Sequence, residues 1–407
     1  MTVRQRLHPR WLDISALRMP PQVIDVQNSD DPRDVVHRAV QALVEGRVVA
    51  FPTETVYVAA ASALNPAAVG RLLELRGGSA DIPLSIALRS TDDALDYVPT
   101  IPSLGMRLAR RCWPGPMTLE LADAHPDSVV QRLPPSVKKV ISPLGNVRLR
   151  VPAHALLSEV LKLLAGPLVI TAARPAGASD PITVEDVVQK AANHVDLVLN
   201  HGRCRFGQRA SVVRVLNSSL EILRPGVISE ANLRRLSSWM AVMVCTGNTC
   251  RSPMAEALLK KRLADHLQVP IDALEDHGYM VMSAGVAAAP GGRSANEAVM
   301  VMRERGLDVS QHESQPLTDR LVRFADVIIT MTRGHREAIV QNWPEAASRV
   351  HVLSRGRSDV ADPIGGPLDL YRRCADQIDE LLEPWLMDFD LPEPPAGENP
   401  PADPSNN

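Results

Sequence analysis

The sequence predicts an α/β protein built from two domains, and three observations carry that expectation. At 407 residues the chain is longer than one hydrophobic core usually serves. Short apolar runs alternate with helical patterns along most of its length, the order that right-handed crossovers between mostly parallel strands produce. The alternation also comes as two series, residues 22–238 and 239–390, which show no internal repeat and do not resemble each other.

Residues 1–21 lack clear periodicity and are expected to form an extended arm. In the first series "GRVVAFP", "PLSIAL", "PLVITAA", "VDLVLN" and "ASVVRVL" read as strands, being short, β-branched and bounded by turn residues. "DPRDVVHRAVQALVEG" and "NPAAVGRLLELRGG" read as helices, the second opened by an Asn-Pro start signal. The second series supplies the strands "AVMVC", "YMVMSAG", "DVIITM" and "RVHVLS", with helices expected near 252–267, 293–306, 334–342 and 367–387. Its fold class is a doubly wound parallel four-stranded sheet with flanking helices. The tail 391–407, "LPEPPAGENPPADPSNN", is proline-rich and poor in apolar residues, so disorder is expected there.

Composition narrows the function classes. A hydrophobic fraction of 45% with 22% charged residues describes an ordinary globular protein. Aromatics make up 3% and the net charge is -3, which favours neither base stacking nor broad electrostatic binding of nucleic acid. No apolar run at the N-terminus has signal-peptide length, and the longest, "LLAGPLVITAA", is too short to span a bilayer. Five cysteines, an odd number, suit a reducing compartment better than a disulfide scaffold. The expectation is a cytoplasmic protein without membrane contact.

"VCTGNTCRSP", Val244 to Pro253, concentrates the chemistry. A structural zinc site would need four Cys or His ligands, and the only other close pair, His201 and Cys204, has no motif spacing to support it. A disulfide does not suit the compartment, and packing alone does not account for Gly, Asn, Thr, Arg and Ser crowding one turn. A nucleophile explains them together. Cys245 ends a buried strand at the carboxyl edge of a parallel sheet, where α/β proteins place their ligands. The loop Thr246-Gly247-Asn248-Thr249-Cys250 has the length to curl its amides around a tetrahedral anion, with Arg251 and the N-terminus of the helix starting near Ser252 aimed inward. Gly247 is expected to supply the unusual backbone angles, Asn248 to brace the loop, and Pro253 to suit the first helical turn. The amides and Arg251 together favour a thiolate, and a guanidinium meets two phosphoryl oxygens at once.

"VCTGNTCRSPMAEALL" closely resembles the phosphate-binding loop of low-molecular-weight protein-tyrosine phosphatases and the related bacterial protein-arginine phosphatases. The resemblance covers roughly 240–388, through "SAGV", "GLDVSQHESQPL", "DVIITMTRGH" and "DVADPIGGPLDLYRRCADQIDELL". It implies that Cys245 attacks phosphorus, that Arg251 and the loop amides hold the phosphoryl oxygens, and that Asp362 of the Asp362-Pro363 pair is the general acid. Asp31-Pro32, Asp180-Pro181 and Asp403-Pro404 lie elsewhere in the chain; only Asp362 stands between the last strand and the last helix. Ser252 can donate to the Cys245 sulfur, and Cys250 can trap an oxidised Cys245 as a disulfide. The implied substrate is a phosphorylated protein, with no metal or cofactor. Tyrosine-directed members commonly carry a bulky aliphatic residue before the second cysteine and aromatic rings after Asp-Pro; here stand Thr249 and Ile364. In its threonine the sequence looks like the arginine phosphatases, which themselves often carry an aromatic residue where Ile364 stands here, and phosphoarginine is favoured over phosphotyrosine.

"VVAFPTETVYVAAASAL", "PLSIAL", "CWPGPMTLEL", "VRLRVPAH", "PLVITAARPAG" and "ILRPG" occur in the order found in the YrdC-like family of threonylcarbamoyl-AMP synthases. That resemblance covers roughly 30–227 and implies a twisted α/β sheet. The family's Lys-x-Arg is Arg76-Gly77-Gly78 here, its Ser-x-Asn is Ala172-Ala173-Arg174, the glycine after the tyrosine is Val58, and its Ser-Thr pair falls at Ala210-Ser211. Losing several donors of about 2–4 kcal/mol each argues against efficient adenylate synthesis. Thr53, Thr55, Arg76 and Arg150 remain as candidate nucleotide- or anion-binding residues, with the basic loop Arg203–Arg209 beside them. A structural remnant or ligand sensor is expected, its ligand a nucleotide or an RNA, double-stranded RNA included. The alternative is a bifunctional protein with an active L-threonylcarbamoyladenylate synthase.

Overall fold

The computed structural model describes residues 20–355 and 358–389. Nearly all of the expected arm and the whole of the expected tail lie outside them. The chain divides into two compact units between Asn232 and Leu233, inside the helix Glu230–Ser237; the boundary expected after residue 238 falls just past that helix. Among the described residues no helix is long and apolar enough to cross a membrane.

The first unit holds a ten-stranded sheet. Its spatial order is Gln22–Asp25, Leu197–Asn200, Val49–Phe51, Val58–Ser62, Leu168–Ala172, Ser85–Ala87, Asn146–Arg150, Met117–Ala122, Ser211–Leu216 and Ser219–Arg224. The expectation of a mostly parallel sheet is corrected here, since five of the nine strand pairings are antiparallel. For the last pair the reason is connection length. Ser211–Leu216 turns into Ser219–Arg224 through Asn217 and Ser218, with Asn217 at φ 50°, and two residues leave no room for a helical crossover. The two helices read from start signals form as Pro32–Val44 and Pro66–Leu75, capped by Asp31 and Asn65 side chains.

In the second unit four strands run all parallel in the order Tyr279–Gly285, Trp239–Cys245, Val327–Thr330 and Val350–Val352. The central strand Trp239–Cys245 is buried along its whole length, which is why it reads as a continuous apolar run. Its odd residues, Ala241, Met243 and Cys245, pack under the helices Arg251–Leu267 and Leu368–Asp388. Its even residues, Met240, Val242 and Val244, face the other layer with Ile328 and Ile339. Helices on both faces put the carboxyl ends of the strands at one open edge, and Cys245 is the last residue of the central one. The helix Asp319–Phe324, capped by Thr318, was not read from the sequence; six residues are too few to show a helical period.

Candidate active site

The turn after Cys245 is built by a single network. Asn248 takes the left-handed conformation, φ 56°, and this corrects the expectation that Gly247 supplies the unusual backbone angle. Asparagine tolerates that region because its short amide can bond locally, and here it bonds four ways. Its amide NH2 donates to Ser252 Oγ and Ser283 Oγ, each at 2.9 Å. Its Oδ1 accepts from the Gln315 N–H at 2.9 Å, which fixes the amide's orientation. Its own N–H donates to Cys245 Sγ at 3.2 Å. With Asn248 donating to Ser252 Oγ, the serine hydroxyl faces Cys245 Sγ at 3.0 Å, nearer than its other acceptor, the Ala284 carbonyl oxygen at 3.5 Å. Ser283 passes its proton to Glu256 at 2.6 Å, and His312 Nε2 lies 2.8 Å from the Asn248 carbonyl oxygen. The sulfur is thus buried and held between two donors.

Gly285, opposite Cys245 in the sheet, explains the glycine of "SAGV". A Cβ there would stand 2.4 Å from the Thr246 carbonyl oxygen and 3.1 Å from the Asn248 nitrogen, closer than the loop could bear.

Arg251 opens the helix Arg251–Leu267 and is 4% exposed. Its Nη1 donates to the Val360 carbonyl at 3.2 Å, and its Nη2 to Thr246 Oγ1 at 3.4 Å. The same Nη2 forms an ion pair with Asp362 Oδ2, while Nε, buried, has no partner among the described residues. Asp362 sits on a turn at the site's edge, its side chain 39% exposed, with Oδ1 accepting from the Ile364 N–H at 3.3 Å. The structure therefore brings Cys245, Arg251, Ser252 and Asp362 to one sheet edge.

Behind the loop, Cys250 Sγ lies 3.5 Å from Tyr371 OH. Burial, then the bond to Cys250, pushes the Tyr371 phenol above its ordinary range. Cys374 is pushed up to about 12, chiefly by burial. Thr249 is partly exposed, its Oγ1 3.7 Å from Cys250 Sγ, and a Cβ on Gly292 would meet its Cγ2 at 3.8 Å. Beyond Asp362, Ile364 is exposed.

His335, Gln315, Ser283 and Tyr371 lie in stretches quoted above but were given no role from sequence. For His335 a signal existed: it stands in the first turn of the helix Arg333–Asn342, just after the strand Val327–Thr330, on the edge where Cys245 emerges.

In the first unit a cavity of about 410 Å³ is lined by six arginines: Arg76, Arg148, Arg150, Arg174, Arg209 and Arg224. Four hold carboxylates, Arg148 with Glu120, Arg150 with Glu54, and Arg174 and Arg209 with Asp180. Arg76 donates to the carbonyls of Ser79, Ile82 and Pro83. Arg224 donates to the Ala210 carbonyl, and its buried Nε has no partner among the described residues. Burial, then Arg209 and Arg148, lowers the Arg224 pKa to about 10. Of the candidates read from sequence, Arg76 and Arg150 line this cavity. Thr55 is buried and accepts from Arg150 at 2.9 Å. Thr53 bonds Thr55 and borders a different recess of about 340 Å³ with His154, His201 and Cys204. Among the described residues no cluster of three His, Cys, Asp or Glu side chains has metal-binding geometry.

Residues 241–392 match the family model described as low molecular weight phosphotyrosine protein phosphatase, and residues 41–226 match the Sua5/YciO/YrdC model, described as telomere recombination. The protein-arginine-phosphatase of Geobacillus stearothermophilus is 39% identical over 146 residues, covering 35% of this chain and 90% of that protein. The threonylcarbamoyl-AMP synthase of Pyrococcus abyssi is 33% identical over 182 residues, 45% of this chain and 51% of that protein, so this chain spans about half its length. A putative threonylcarbamoyl-AMP synthase of Mycobacterium leprae is 29% identical over 222 residues, 52% of this chain and 92% of that protein. Through residues 241–392 the chain belongs to the low molecular weight phosphotyrosine protein phosphatase family and is a phosphatase.

Proposed function

We propose that the second unit removes phosphate from phosphoarginine in proteins through a phosphocysteine intermediate. Displaced from Arg251 by the entering phosphoryl group, the Asp362 carboxylate takes up a proton from solvent; Cys245 Sγ attacks phosphorus in line and the P–N bond breaks as Asp362 gives that proton to the departing guanidine nitrogen. Arg251, freed from Asp362, holds the phosphoryl oxygens together with the loop amides. Water then attacks phosphorus, the S–P bond breaks, and the water proton passes to Asp362 and on to solvent, so that the Asp362 carboxylate rejoins Arg251 as phosphate leaves. Cys250 stays outside this cycle and serves as the partner of an oxidised Cys245.

The observation that carries the substrate choice is the pair Thr249 and Ile364. Thr249, next to the catalytic loop's second cysteine, carries a small polar side chain that is partly exposed, and the residue after Asp362-Pro363 is the exposed Ile364 rather than a ring. A hydroxyl can bond a guanidinium; neither residue offers a phenol the stacking surface it would use. The arginine-phosphatase name of the Geobacillus relative supports the same choice. Parallel turnover of a phosphoarginine and a phosphotyrosine protein tests it, and a higher kcat/KM for phosphotyrosine overturns it.

The first unit is proposed to be a ligand-binding remnant whose arginine-lined cavity takes a nucleotide or another anion without adenylate synthesis. The changed Arg76–Gly78 and Ala172–Arg174 segments support that reading. No pyrophosphate should be released from ATP in a threonine- and bicarbonate-dependent way, and clear release above a no-threonine control would establish the synthase reading instead.

A further inference from the structure

His335 is 7% exposed, and the Thr332 side chain that caps its helix accepts its N–H at 3.2 Å. Its Nε2 lies 2.9 Å from Thr246 Oγ1, and its buried Nδ1 has no partner among the described residues. Thr246 Oγ1 already accepts from Arg251 Nη2. A guanidinium only donates, so it occupies one lone pair of the hydroxyl and leaves the hydroxyl proton available to His335 Nε2 in the tautomer protonated at Nδ1. With that tautomer the chain of donation runs from Arg251 through Thr246 to His335, and it ends on a lone pair that only a neutral imidazole has.

We infer that His335 is a positioning residue for phosphoryl recognition: by accepting the Thr246 proton it turns the oxygen's lone pair toward Arg251 and holds the guanidinium where it meets the substrate. This rests on the reading that Arg251 binds the transferred phosphoryl group. Protonating His335 would replace its acceptor by a donor and set a second positive charge beside Arg251, breaking the chain. Burial, and after it Arg251, keeps the His335 pKa below the usual histidine range, against the opposing pull of Asp362 and Asp359. The alignment is therefore intact at neutral pH and lost as pH falls through that lowered value.

The test uses full-length protein, a phosphoarginine substrate, and inorganic vanadate as the probe of the oxyanion site between pH 5 and 7. His335→Phe, which offers no acceptor, should lower kcat/KM and weaken vanadate inhibition by roughly tenfold at pH 7. His335→Gln supplies an acceptor that does not titrate; it should lose less than His335→Phe and flatten the acid-side weakening of vanadate inhibition seen in the wild type. If both variants lose equally and keep the wild-type pH profile, His335 is a packing residue and the inference fails. Should His335→Phe not fold, Thr246→Val reports on the same chain: adding His335→Gln to it should change vanadate inhibition little, whereas an additive loss overturns the coupling. Cys245→Ser, run alongside, separates the two levels, since turnover in that variant would overturn the site reading itself.

Discussion

Arg150 and Arg251 are alike in isolation: each is a guanidinium 4% exposed, close to the end of a strand, with a carboxylate partner. The partners differ. Glu54, paired with Arg150, is itself buried and also accepts from the Ala153 N–H at 3.0 Å, so it cannot leave without stranding a charge. Asp362, paired with Arg251, sits on a half-open turn. A cation becomes a phosphate receptor when its internal partner can be displaced into water, and a structural post when it cannot. By this criterion two of the six cavity arginines in the first unit, Arg148 and Arg150, are posts, their glutamates being buried.

Removing the nucleophile has the largest expected effect. Cys245→Ser should abolish phosphatase turnover, while Cys250→Ser retains most of it under reducing conditions and is irreversibly inactivated faster by peroxide. Equal loss from both would dissolve the distinction between a sulfur held by two donors and one packed against Tyr371.

Next comes Asp362→Asn, expected to lower kcat by about a hundred- to ten-thousandfold for substrates with poor leaving groups. The loss should shrink across a series of activated aryl phosphates, and a uniform loss would assign Asp362 to binding alone. Its stability effect should be small because the carboxylate is partly solvated.

Glu54→Gln should behave in the opposite sense. Breaking a buried pair by removing one partner costs about 3–5 kcal/mol, so denaturant unfolding of the first unit should move strongly while phosphatase turnover holds. An unshifted transition would refute the classification of Arg150 as a post.

Thr249→Ile is smaller again. Loss of one hydrogen bond to a charged group corresponds to roughly ten- to a hundredfold, so phosphoarginine turnover should fall by that factor as phosphotyrosine-mimic turnover rises. A constant ratio of the two efficiencies removes the main support for phosphoarginine.

The smallest expected effect concerns His154, which burial, then His201, holds down at about 4. Folding favours its neutral form, so its contribution to stability is present above the unfolded-chain value of about 6.5 and fades as pH falls toward 4. The gap in unfolding midpoint between wild type and His154→Gln should therefore narrow from pH 7 to pH 5. A gap independent of pH would mean that His154 acts through packing.

The second unit was legible because its central strand is buried on both faces and because Cys245, Arg251 and Asp362 occupy ordered points in the chain order of a parallel sheet. The mixed pairing of the first unit was not, since parallel and antiparallel buried strands share the same apolar signature and only the turn lengths separate them. Asn248 shows a finer limit. Both it and Gly247 suit a left-handed turn, and the choice depends on Ser252, Ser283 and Gln315 arriving from three segments to saturate the amide. His335 escaped for a related reason: its role depends on a hydroxyl 89 positions away.

The Arg251–Asp362 pair makes the enzyme its own tethered competitor. Any oxyanion entering the loop must displace a carboxylate already attached to the same chain, which weakens inorganic phosphate as much as it weakens the substrate's ground state. The displaced carboxylate swings toward the scissile bond at the moment it is needed, and after hydrolysis it returns to the guanidinium as phosphate leaves. In the proposed cycle, release of product and restoration of the Arg251–Asp362 pair are one and the same exchange of anions.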